Sequence, residues 1–237
     1  AADQRDGEIW AVYAQLKEAG VNSWYNLLIS QDGGHSWQDH GRIPADSIAT
    51  VALAGGGAGW VHGAGNLWST LDRGEHWIKV EAPGVRSAAG ECLKVIDEKT
   101  AWLGGKGLLL TTDNGVHWQQ ISGEKISALD GRFLVGPVEN GFRVGELINN
   151  QINWIGSYSG SLLAERITSE GQDLLILAAP IDKKAGQGRI LLQSKDGGLT
   201  WKETFVRGAA NADFWGWYGP HLWVQVDVGR RIHVWKQ

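Results

Sequence analysis

The 237 residues contain no methionine, a single cysteine, five prolines and no surplus of cations. One thiol, Cys92, excludes an intrachain disulfide and a cysteine-built zinc cage. Lys and Arg number 22 against 26 Asp and Glu, a formal charge of -4. That balance argues against nucleic-acid binding driven by bulk charge and against polybasic attachment to a membrane. No apolar run approaches the ~20 residues of a membrane-spanning helix, so no membrane insertion is expected. Sustained 3.6-residue apolar stripes are missing too, which speaks against helices. The lack of an initiator methionine and the start Ala1-Ala2-Asp3-Gln4 suit a mature end left by a signal peptidase. Export to a periplasm or the extracellular space is therefore expected. What the chain has in quantity is glycine, 34 residues, and tryptophan, 14.

One octapeptide recurs. It reads Ser30-Gln31-Asp32-Gly33-Gly34-His35-Ser36-Trp37, then Thr70-Leu71-Asp72-Arg73-Gly74-Glu75-His76-Trp77. It returns as Thr111-Thr112-Asp113-Asn114-Gly115-Val116-His117-Trp118 and as Ser194-Lys195-Asp196-Gly197-Gly198-Leu199-Thr200-Trp201. The common form is Ser/Thr, Asp, Gly and Trp at the first, third, fifth and eighth places. The last interval is about twice the others, so a decayed copy is expected between, at Asn149-Asn150-Gln151-Ile152-Asn153-Trp154. Such an octapeptide is a hairpin turn. The Ser or Thr ends a strand, and the Asp carboxylate accepts bonds from its own turn's N–H groups. The Gly takes a positive φ. The Trp opens the next strand and covers the turn, its indole N–H seeking a partner.

This pattern resembles the Asp-box, or BNR, repeat of sialidases, sortilin-type receptors, two-domain xyloglucanases and photosystem II assembly factors. In those families the box joins the third and fourth strands of a β-propeller blade. The resemblance implies an all-β propeller and leaves function open, since the families include enzymes and non-enzymes.

The flanking sequence reads as strands in its own right. Short β-prone runs are separated by Gly or Asn/Asp turns. Second strands align on Trp10, Trp60, Trp102, Phe133, Leu175 and Trp223. That gives six blades of about 40 residues in one domain over 1–237, near 8–41, 47–82, 89–122, 126–159, 162–206 and 211–237. The first is read as lacking its innermost strand and the last its outermost, so an irregular closing blade is expected.

Strand direction alternates within a blade. The boxes and the first-to-second-strand turns therefore share one end, and the second-to-third-strand loops share the other with the linkers. The long loops are of the second kind, which makes that far end the expected functional one. Candidate partner-binding residues there are Lys17, Glu18 and Asn22, Lys183 and Lys184, the linker cations Arg42, Arg86 and Arg207, and the aromatics Trp215 and Trp217. Converging guanidinium groups hold carboxylates through bidentate bonds. Arg42-Ile43-Pro44 is similar to a sialidase motif but follows a box where the family's precedes one. The bland reading of these cations, which include Lys125, is linker solvation. For Trp215 and Trp217 it is core packing.

The box residues Asp32 and Trp37, Asp72 and Trp77, Asp113 and Trp118, and Asp196 and Trp201 read as structural, because they recur at every turn. His35, His76 and His117 fall on separate blades and do not suggest a metal site. Gly55-Gly56-Gly57 reads as a strand turn and Cys92 as a small buried hydrophobe. Catalytic residues are not assigned, and no metal or cofactor is expected. The expected function is a non-catalytic, exported propeller that binds another protein. The competing one is a sialidase-like glycoside hydrolase or lectin holding a carbohydrate at the centre, which would need two acids ~5–9.5 Å apart.

Overall fold

The computed structural model describes residues 2–15, 24–46, 48, 50–63, 66–83, 92–181, 189–206, 214–217, 222–226 and 232–236. All regular structure among them is β-strand. The chain divides into two compact units, 1–123 and 124–237.

Unit 1 holds three four-stranded sheets. The first is β1 (Ala2–Arg5), β2 (Glu8–Gln15), β3 (Trp24–Ser30) and β4 (Gln38–Ile43). The second is β5 (Thr50–Gly55), β6 (Ala58–Gly63), β7 (Asn66–Thr70) and β8 (Ile78–Val80). The third is β9 (Cys92–Val95), β10 (Ala101–Gly104), β11 (Leu108–Thr111) and β12 (Gln119–Ser122). Unit 2 holds two more four-stranded sheets. The fourth sheet is β13 (Ala128–Leu129), β14 (Phe133–Val138), β15 (Gly141–Ile148) and β16 (Gln151–Ser159). The fifth is β17 (Leu162–Glu170), β18 (Asp173–Pro180), β19 (Arg189–Ser194) and β20 (Lys202–Val206). The sixth has three strands, β21 (Phe214–Trp217), β22 (Leu222–Val226) and β23 (Ile232–Lys236). Every pairing is antiparallel between strands consecutive in the chain. All six alignment positions, from Trp10 to Trp223, fall on second strands.

Three expectations need correcting. The first sheet has its innermost strand: Ala2–Arg5 pairs with Glu8–Ala11, and Asp6 and Gly7, both at positive φ, make the connecting two-residue turn. The decayed box is not a box. Asn149 and Asn150 both take positive φ (52 and 59°), so a two-residue type I′ turn joins β15 to β16. Asparagine tolerates that conformation because its short side chain can bond locally. Cys92, expected to be buried, is half-buried at the start of β9.

The core lies between sheets. Trp10, Leu27 and Ile29 of the first sheet pack on Val51, Leu53 and Val61 of the second. The other face of the second sheet, with Ala52, Trp60, Leu67 and Val80, packs on Leu93, Val95, Ala101 and Leu103 of the third. In unit 2, Phe133, Val135, Phe142 and Val144 meet Leu162, Ile167, Leu174, Ile176 and Leu192. A middle sheet covered on both faces cannot alternate apolar and polar residues. That is why all of β6 is buried and why its polar His62 is enclosed as well.

Candidate functional site

The sheets have two chemically different ends, and all four boxes at one of them lie within the described residues. In each box the Asp Oδ1 accepts the hydroxyl of the first residue and the backbone N–H of the seventh. For Asp32 the distances are 2.8 Å from Ser30 Oγ and 2.8 Å from Ser36 N. For Asp113 they are 2.9 Å from Thr111 Oγ1 and 2.8 Å from His117 N. Oδ2 takes the side chain of the seventh residue: Ser36 and Thr200 hydroxyls at 2.6 Å, and His76 and His117 Nδ1 at 2.8 and 2.7 Å. The first residue's oxygen also accepts the N–H of the box glycine, at 2.8, 3.0, 2.9 and 2.7 Å in chain order. The fourth residue is left-handed as well: Gly33, Arg73, Asn114 and Gly197 lie at φ 58–71°.

These bonds hold the four carboxyls at about 2, well below their ordinary 3.8. The leading cause is the Ser36 hydroxyl for Asp32, the Thr200 hydroxyl for Asp196, and the His76 and His117 backbone N–H for Asp72 and Asp113. A carboxyl lowered on folding contributes stability that is complete above its unfolded value and lost as pH falls through its folded one. The thermal midpoint should therefore hold steady down to about pH 4 and drop between about pH 4 and 2. A midpoint that declines only on the alkaline side would refute this wiring.

The box end also ties sheets together. The box glycines press on the preceding sheet: Gly74 on Leu27, Gly115 on Val80 and Trp60, Gly198 on Val144. Arg73 pairs with Glu8 of the first sheet at 2.9 Å. Burial alone would raise Glu8, but Arg73 and the Trp10 indole bring it below its ordinary value. Arg5 reaches two carbonyls, Leu53 of the second sheet and Ile96 beyond β9, at 3.4 and 2.7 Å. Backbone bonds from Arg73 to Gly57, Asn114 to Lys99 and Gly197 to Gln172 join three of the four boxes to their own sheets' first turns. That confirms the two turn types share an end.

At the far end, Arg42 lies exposed on β4, opposite Asn26 of β3. Around it the fold assembles groups from three strands. Tyr13 donates to Asp39 Oδ2 at 2.9 Å, Asn26 Nδ2 lies 3.4 and 3.2 Å from the two Asp39 oxygens, and Gly41 N–H donates to Oδ1 at 2.8 Å. The Gly41 N–H leads in lowering Asp39, and Asp39 in turn raises Tyr13. The pattern of single strands does not reveal this cluster, because a register shift between Asn26 and Leu28 creates it. Lys125 is exposed ahead of β13. Lys17, Glu18, Asn22, Arg86, Lys183, Lys184 and Arg207 lie outside the described residues. Trp215 and Trp217 fall on β21, but their side chains lie outside the description.

Glycosidase chemistry of the sialidase kind would need an activated tyrosine beside a glutamate. Tyr158 does donate to Glu203, at 2.8 Å, from β16 to β20. Burial leads, and the carboxylate adds, in raising this phenol to about 12. A phenol held protonated is the opposite of a nucleophile. The pair sits on fourth strands and packs on Phe142, with ring centroids 5.2 Å apart. The acids of the boxes are each spent within their own turn. Arg166, which sequence reasoning missed, stands at the bulge of β17; lost solvation lowers it, and Glu165 opposes that. Glu165 itself pairs with Arg189 at 2.6 Å.

No protein-family model matches the chain, and no curated protein matches it. Among solved structures it is similar to YCF48 bound to a D1 peptide, at 15% identity over 100% of this chain and 99% of that one, with a TM-score of 0.51. It is similar to YCF48 from Cyanidioschyzon merolae at 13% identity, covering 90% and 91%, with a TM-score of 0.50. It is also similar to PorZ, an essential surface component of the type-IX secretion system of Porphyromonas gingivalis. That match has 14% identity over 100% of this chain and 32% of that one, with a TM-score of 0.52. At such identities the likeness speaks for the fold alone, a β-propeller built from four-stranded antiparallel sheets.

Proposed function

We propose that the chain is an exported, non-catalytic β-propeller that binds another protein through the end opposite its boxes. The reading takes the six sheets as six propeller blades, of which β21–β23 is the irregular closing one. The observation that carries the reading is the contrast between the ends. At the box end the four recurring carboxylates are saturated by turn bonds and the turns are locked to neighbouring sheets. Along the first sheet, half-buried Tyr13 and Asn26 and exposed Asp39 and Arg42 present a phenol, an amide, a carboxylate and a guanidinium, running from Asp39 just past the box to Arg42 toward the far end. Mixed hydrogen-bonding groups of that kind suit a polypeptide. The similar YCF48 is a propeller bound to a peptide, and PorZ is a surface component, which supports a protein partner and a place outside the cytoplasm. The reading also keeps Lys17, Glu18, Asn22, Arg86, Lys183, Lys184, Arg207, Trp215 and Trp217 as its sequence-derived candidates.

The test is capture from the envelope fraction of the native organism on the immobilised chain. Arg42→Ala with Lys183→Ala and Lys184→Ala should lower recovery of the captured protein about tenfold. Asp113→Ala, if folded, should recover it like the parent. Equal recovery with the far-end variant, or loss with Asp113→Ala, would move the site to the other end. Turnover of aryl glycosides, or saturable binding of sialyllactose, would support the carbohydrate reading instead.

A further inference from the structure

Unit 1 contains two seams of identical construction, where the box of one sheet rests on the sheet before it. At the first, Gly74 rests on Leu27; at the second, Gly115 rests on Val80 and Trp60. Three solvent-facing positions surround each seam. They are the second residue of the lower box, the residue after its Trp, and the residue after the upper box's glycine. At the first seam they are Gln31, Gln38 and Glu75, all exposed. At the second they are Leu71, Ile78 and Val116, exposed by 54, 60 and 72%.

Register places the three aliphatic residues around one seam. Ile78 and Val80 share a face of β8 because side chains alternate. Val80 Cγ1 lies 2.5 Å from where a Cβ on Gly115 would stand, and Val116 follows Gly115. Leu71 and Ile78 flank the same box. Folding does not require aliphatic residues here, since the first seam does the same structural task with glutamine and glutamate. Exposed aliphatic surface on a rigid, hydrogen-bonded support marks an interaction site.

Size and charge select the occupant. A whole Leu, Ile or Val side chain corresponds to roughly 60–120 Å², so the exposed parts together offer on the order of 200 Å². A second copy would need about 800 Å² on each side. A short segment needs far less. Beside the patch stand Asp72 and Asp113, each hydrogen-bonded to the histidine of its own box at 2.8 and 2.7 Å and held ionised by its turn bonds. Lys79 is paired with Glu81 at 3.0 Å, and Arg73 is turned to Glu8. The rim is thus acidic. We infer that the seam around Leu71, Ile78 and Val116 is a second interaction surface, at the box end, for a short protein segment carrying two or three aliphatic side chains flanked by Lys or Arg.

The repeat supplies the variant that tests this. Leu71→Gln with Ile78→Gln and Val116→Glu installs what the first seam already carries, so folding and thermal midpoint should be retained. A phage-displayed library of about 12-residue peptides is panned on the whole chain, and recovered peptides are synthesised and titrated by fluorescence polarisation. Expected peptides combine aliphatic residues with Lys or Arg, bind the triple variant about tenfold more weakly, and weaken as salt rises. Val116→Glu alone should show part of the loss, which covers the case of a triple variant that fails to fold. The Arg42→Ala, Lys183→Ala, Lys184→Ala protein should bind these peptides like the parent, so the outcome is separate from that of the far end. Recovered peptides that bind parent and variants equally, a library that yields none, or a parent that sediments as a dimer where Val116→Glu is a monomer would each overturn the proposal.

Discussion

Gly115→Ala should destabilise the protein by roughly 2–4 kcal/mol, and Gly33→Ala by only about 1 kcal/mol. Both residues are left-handed, at φ 82 and 71°. Alanine therefore brings backbone strain to either site, and that strain is the smaller part. The difference is space. A Cβ on Gly33 meets nothing within 4 Å, whereas one on Gly115 falls 2.5 Å from Val80 Cγ1 and 2.9 Å from the Trp60 ring. Val80 and Trp60 are buried on the sheet before, so neither can swing away. Only separation of the second and third sheets makes room. For a chain of this length, a thermal midpoint lower by roughly 5–15 °C in Gly115→Ala and by a few degrees in Gly33→Ala is the expected reading. Equal losses at the two positions would mean that the box glycine serves its turn alone and not the contact between sheets.

That comparison shows how far the sequence carries. The spacing of four boxes located the hairpins, and aromatic or leucine positions located a second strand in every sheet, because turn chemistry and burial are local signals. The Gly requirement at the fifth box position was legible as a φ requirement. Its second cause was not, because Val80 and Trp60 touch Gly115 only after the sheets have stacked. The left-handed fourth position was hidden too: Arg73 and Asn114 stand where two other boxes have glycine. For Arg73 the ion pair with Glu8 offsets some of the cost, and Glu8 lies in another sheet. Asp6-Gly7 carried a clear turn signal, and reading it would have restored β1. At the far end, Arg42 could be named from sequence, but its neighbours could not. Tyr13, Asn26 and Asp39 come from three strands and meet through a shift in register that no alternation pattern encodes.

Thr111→Val should cost about 1–3 kcal/mol, while Thr111→Ser should be nearly neutral. Sequence reading treats the first box residue as the end of a strand; the geometry makes it the centre of the turn. Thr111 is buried, its Oγ1 donates to Asp113 Oδ1 at 2.9 Å, and the same oxygen accepts the Gly115 N–H at 2.9 Å. Valine matches the shape but leaves a buried N–H without an acceptor, and an unsatisfied donor costs more than a hydrogen bond normally contributes. Serine keeps the oxygen, as Ser30 and Ser194 do in their own boxes. Amide hydrogen exchange separates this account from a simple packing effect. Exchange at Gly115 should quicken in Thr111→Val beyond what its loss of global stability explains, and stay slow in Thr111→Ser. The His117 amide, held by Asp113 and not by Thr111, should follow global stability in both. If valine and serine behave alike, the hydroxyl is a bystander and the carboxylate alone organises the turn.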